Sequence, residues 1–175
     1  MTTALAVLHK HRNVLLVDVA LLAALFLLPS FSHLTALPLY KLEPMRIALI
    51  VALLFTNRAN TYLIAFTIPL ASAMMTGHPA PFKALLMGIE LSLLVATYSY
   101  LVRLDRFLPI TALMAGILFS KAIYYTMKFA ALSLGLLAGS LVSTPLQTQL
   151  MLGVGTAVIF GLIEQYRAKN SRSPG

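Results

Sequence analysis

Residues 108–137 read LPITALMAGILFSKAIYYTMKFAALSLGLL, an almost unbroken apolar run that carries two lysines, Lys121 and Lys128. A bilayer core about 30 Å thick takes roughly 20 apolar helical residues. The run is therefore long enough to span and to be tilted, kinked or broken on the way. On a helix, positions 121, 124/125 and 128 lie on one face. Both lysines and at least one of Tyr124 and Tyr125 then point the same way. Lysine inside an apolar segment carries a cost, and the rest of the chain must show what offsets it.

Composition sets the frame. The chain is 59% hydrophobic and only 10% charged, with a mean hydropathy of +0.88. Soluble domains are roughly 45–50% apolar and about 25% charged. So few charges cannot coat a water-soluble globule, and the chain reads as an integral membrane protein. It has no cysteine, which excludes disulfides, thiolate metal sites and cysteine nucleophiles together. It has no tryptophan, so an interfacial aromatic belt falls to its 7 Tyr and 9 Phe.

Outward from 108–137, five further apolar segments follow the same rule, at about 14–31, 44–56, 60–76, 81–102 and 145–165. Breakers separate them: LPS, ALPLYKLEP, TNRAN, TGHPAP, RLDRF and AGSLVSTP. Segment 44–56 is marginal for a span. The first run follows HKHR, as the apolar core of a cleaved signal peptide would, but its length, its Asp18 and the lack of a small-x-small cleavage site favour a retained helix. No repeat or soluble domain is visible. The expectation is an all-α membrane protein, one integral domain over 1–175, folded as a compact bundle of six transmembrane helices.

Orientation comes from Lys and Arg. With the N-terminus inside, the inner side receives Lys10, Arg12, Arg58, Arg103, Arg106, Arg167, Lys169 and Arg172, 8 of the 13 basic residues. The positive-inside rule then puts both termini in the cytoplasm. Rising from Leu108 at about 1.5 Å per residue, Lys121 lies roughly 20 Å up and Lys128 roughly 30 Å up. Glu90 lies about 13 Å below the outer start of 81–102 on the same rise. Glu43 and Arg46 sit at the outer start of 44–56, three residues apart on one face. His33 and Lys41 fall in the first outer loop, His78 and Lys83 in the second. An outward-facing polar cavity accounts for this gathering.

Each of these residues also has a plainer reading. Lys128 can snorkel to the outer headgroups, and Lys121 can pair with Glu90. Glu43/Arg46 can be a salt bridge at a helix start, and His78 a loop residue. Asp18 faces another helix in the inner half, its role open. Ala20 and Ala24, with Ala23 beside them, and Gly135 with Gly139, have the four-residue spacing that lets helices approach closely. Enzyme chemistry finds no support: there is no G-x-S-x-G, no H-E-x-x-H and no Walker A sequence. No catalytic residue, metal site or cofactor is expected, and energy for transport would come from an ion gradient or a partner.

In length, number of segments and orientation, nearly the whole chain resembles the substrate-binding S components of energy-coupling factor (ECF) transporters. Ala20-x-x-x-Ala24 looks like the alanine motif by which many S components dock on a transmembrane coupling subunit. Thr76-Gly77-His78-Pro79, followed by Lys83 and Glu90, looks like a form found in uncharacterised S-component-like proteins. The resemblance implies a prokaryotic plasma-membrane protein that binds a micronutrient from outside and passes it inward when docked on coupling and ATPase subunits. Lys121, Tyr124, Tyr125, Lys128, Glu90, Arg46, Glu43, His78 and Lys83 are its candidate ligand contacts, and Ala20, Ala23 and Ala24 its docking face. The balance of cations over carboxylates suits an anionic or zwitterionic ligand. Two other classes compete: a self-sufficient transporter or channel, proton-coupled through Glu90 or Asp18, and a structural membrane protein whose charges lock its helices.

Overall fold

A computed structural model describes residues 15–21, 23, 24, 27, 43–77 and 79–171. Among them there is no strand. The N-terminal helix α1 includes residues 15–21, and 23, 24 and 27 are helical as well. It is followed by α2 (Pro44–Phe55), α3 (Arg58–Thr76), α4 (Pro81–Arg103), α5 (Pro109–Ser133) and α6 (Leu146–Ser171). Three stretches, Pro81–Arg103, Pro109–Ser133 and Leu146–Arg167, are long and apolar enough to cross a membrane. Many of their large apolar side chains face outward, among them Leu118, Phe119, Leu150 and Met151. Bilayer lipid suits such a surface, whereas water leaves it uncompensated.

Proline and glycine punctuate the chain as the breakers suggest. Pro44, Pro81 and Pro109 open α2, α4 and α5, where the missing N–H costs nothing. Asn57 caps α3 by accepting the Asn60 N–H at 2.9 Å. Gly77, at φ 68°, ends α3. Helix α5 stops at Ser133, four residues before the end of the apolar run. There the Leu136 N–H reaches back to the Ala131 carbonyl and the Gly135 N–H to that of Leu132, the Schellman pattern. Gly135 and Gly139 have φ of 70° and 109°, with nothing within 4 Å of an added Cβ. They make the turn after α5, so their spacing is not a helix-packing face.

Close packing falls to other glycines. A Cβ on Gly116 of α5 would stand 3.2 Å from the Leu94 carbonyl oxygen of α4. One on Gly161 of α6 would collide with Ile110 of α5. Helix α4 packs between α3 and α5, and α6 lies against α5 and α2. Helix α2 is only 12 residues long, about 18 Å as a regular helix, too short to cross a bilayer core. Half its length is buried: Arg46, Ala48, Leu49, Ile50, Ala52 and Leu54 face the interior. It packs mainly against α3, with further contacts to α6 and α4. Leu49, Leu94, Leu113 and Phe160 are fully buried at the centre.

Short connections alternate the direction of α2 to α6. One end gathers the starts of α2, α4 and α6 with the ends of α3 and α5. The other end carries Arg58, Arg103, Arg106 and Arg167, and polar contacts tie it together. There Asp18 of α1 accepts two hydrogen bonds from the Asn60 amide, at 2.8 and 2.9 Å. Arg167 of α6 donates to the Leu54 carbonyl at the end of α2, and its guanidinium lies 5.6 Å from the Phe55 ring centroid.

Candidate functional site

At the first of these ends the bundle opens into a cavity of about 270 Å³. Of the candidate contacts, Glu43, Arg46, Lys83, Glu90, Lys121, Tyr124, Tyr125 and Lys128 all line it. His78 lies outside the described residues, as do His33 and Lys41. The cavity also draws on residues the sequence reading passed over: Ser143, Thr144 and Gln149, from the α5–α6 connection and the first turn of α6. Gln149 has a weak signal in sequence, an amide in the first turn of an apolar helix.

Four charged groups interlock on one side. Glu43 precedes Pro44 with φ 50° and ψ 53°, a left-handed backbone that costs a non-glycine residue about 1–3 kcal/mol. Its carboxylate meets the Arg46 guanidinium one turn ahead and the Lys121 ammonium at 2.8 Å. Glu90, on the buried face of α4, accepts from Arg46 at 2.7 Å and lies 3.4 Å from Lys121. Each carboxylate thus touches both cations. Arg46 and Glu90 are only 5% and 4% exposed. Desolvation of that depth is tolerated when ions are multiply paired, and two-against-two pairing leaves the quartet neutral.

Lys128 is placed differently. It is 4% exposed, so its side chain does not snorkel outward. Its ammonium donates to the Leu141 carbonyl at 2.7 Å and to Ser143 Oγ at 3.0 Å, pinning the α5–α6 connection. No carboxylate lies within ion-pair distance of it, nor of the half-buried Lys83, among the described residues. Between the two lysines of α5, the tyrosines form a platform. Lys121 Nζ lies 5.5 Å from the Tyr124 ring centroid and 5.8 Å from that of Tyr125, and Lys128 Nζ lies 5.9 Å from Tyr124. The Tyr125 hydroxyl and the Gln149 side chain are hydrogen-bonded, and the Gln149 amide also donates to the Thr144 carbonyl at 2.7 Å. Apolar Met45, Met87 and Leu91 complete the lining.

The arrangement has charge, a few directed donors and apolar walls, which is the make-up of a small-molecule site. No group of three metal-ligating side chains occurs among the described residues. Ala20, Ala23 and Ala24 are exposed on α1, far in sequence from the cavity. No family model, curated protein or solved structure matches the chain.

Proposed function

We propose that this protein is a solute-binding membrane subunit of the ECF S-component type. In this reading six helical segments lie in a plasma membrane with both termini in the cytoplasm, and the cavity faces outward. The observation that carries it is the cavity itself: four cations and two carboxylates converge there from α2, α4 and α5 in an otherwise apolar bundle. Ionisable groups at membrane depth are costly, and sites for solutes are where that cost is commonly found. The exposed small side chains of Ala20, Ala23 and Ala24 support docking on a coupling subunit, since small residues let another helix approach closely.

Native mass spectrometry of the full chain, purified from its own membranes, tests the binding reading; a retained small molecule is expected. For docking, Ala20→Trp abolishes co-purification with the coupling and ATPase subunits, and unchanged assembly would count against the ECF assignment. A purely structural role is the second reading, favoured by the pairing of Arg46 and Lys121 with both Glu43 and Glu90. It gives Lys128 only the α5–α6 connection to pin, and it leaves Lys83 without an ion-pair partner among the described residues.

A further inference from the structure

The chain has five acidic side chains, and each is accounted for. Glu43 and Glu90 are held by Arg46 and Lys121. At the opposite end, Asp18 is bound by Asn60, and Glu164 lies 3.4 Å from Arg167. Asp105 is in the exposed turn after α4, also remote from the cavity. None is left for Lys128 or Lys83.

An unpaired buried ammonium costs several kcal/mol even after relaxation. Two neutral oxygens and one aromatic ring offset part of that for Lys128, and only two of its three N–H donors are spent. A carboxylate or phosphate oxygen would take the third as a short charge-assisted hydrogen bond.

The same inventory argues against a positive group on the ligand. A ligand ammonium needs a carboxylate or an open aromatic face. Both cavity carboxylates are each shared by two cations already. The Tyr124 and Tyr125 rings already have Lys121 and Lys128 over them. Volume limits size as well: about 270 Å³ falls at the small end of ligand pockets, which run from about 300 to 1,000 Å³.

We infer that the cavity takes a small organic or phosphate-type anion with no cationic group, its acid seated against Lys128 and Lys83. This rests on the solute-binding reading above and narrows it from anion or zwitterion to anion. The quartet then serves as a neutral wall, and the lysines beyond it supply the recognition.

The test uses the full chain in detergent at constant ionic strength, melted with succinate, inorganic phosphate or glycine betaine. Succinate, phosphate or both raise the melting temperature and betaine does not; which acid acts distinguishes a carboxylate from a phosphate ligand. Losing one charge-assisted bond, worth about 1.5–3 kcal/mol, weakens binding by about tenfold or more. Lys128→Met and Lys83→Met each show that loss. Lys83 makes no hydrogen bond to the rest of the fold among the described residues, so its variant separates recognition from folding. Anion binding that survives in both variants overturns the inference, as does stabilisation by betaine alone. Should no probe act, the molecule retained in native mass spectrometry decides: an anion supports the inference, and a neutral or zwitterionic one overturns it while the solute-binding reading stands. An empty cavity with no active probe overturns both.

Discussion

Consider Glu90→Gln, which keeps the shape of a buried side chain and removes its charge. Glu90 is 4% exposed and accepts from Arg46 at 2.7 Å, with Lys121 3.4 Å away. After the change, two cations share the single carboxylate of Glu43, and Arg46 remains almost wholly out of solvent. Breaking a buried pair by removing one partner costs about 3–5 kcal/mol. Because Glu43 still touches Arg46, the lower end applies, about 3 kcal/mol. For a chain of this size each kcal/mol moves the midpoint by about 2–4 °C, so the loss is about 6–12 °C. The chain has neither tryptophan nor cysteine, so circular dichroism at 222 nm suits the measurement better than tryptophan emission or a thiol dye.

The partner variant sharpens the test. Arg46→Met together with Glu90→Leu leaves Glu43 and Lys121 as a balanced pair at 2.8 Å. The double change therefore costs less than the sum of the two single ones, with a coupling of about 0.5–3 kcal/mol. A Glu90→Gln midpoint within about 0.5 kcal/mol of the wild type, the usual range for changes at a surface, would refute the quartet as an energetic unit.

Two further outcomes follow from packing and hydrogen bonding. Gly116→Val pushes a side chain at the Leu94 carbonyl, where even a Cβ stands at 3.2 Å, and destabilises the α4–α5 contact by about 1–3 kcal/mol in the same melt. Tyr125→Phe removes the hydroxyl bonded to Gln149 and leaves a side chain that is 7% exposed short of a partner, at a cost of about 1 kcal/mol. Replacing Gln149 with Leu in that background recovers part of the loss, which distinguishes an unsatisfied amide from a simple change in packing.

The helices were legible because their limits are local. Proline at a helix start and glycine past its end act within a turn, so the bounds of α2, α4 and the end of α3 agree with the apolar segments to within a residue. Segment 108–137 ran long because hydropathy alone does not register a turn; SLGLL is apolar, yet Gly135 bends it. The candidate contacts were legible as a group, since helix direction and rise set their depth. Their partnerships were not. Sequence drew attention to Lys121 as the lysine most in need of a ligand, but Lys121 has two carboxylates beside it, and Lys128 has none.

Composition by itself determined that this chain has far too little charge to coat a water-soluble globule, and its spacing determined which residues share a face and which end each polar group approaches. Tertiary structure decided that Glu43 reaches Lys121, 78 residues away, and that Arg46 reaches Glu90, 44 residues away. It decided too that α2 buries half of its residues and that Lys128 points inward. The physical reason is that helical periodicity fixes angles within one helix, while the rotation of one helix against the next is set by how side chains interdigitate. Gly116 against the Leu94 carbonyl and Gly161 against Ile110 are two such contacts. Which charge is paired and which is left over depends on those rotations.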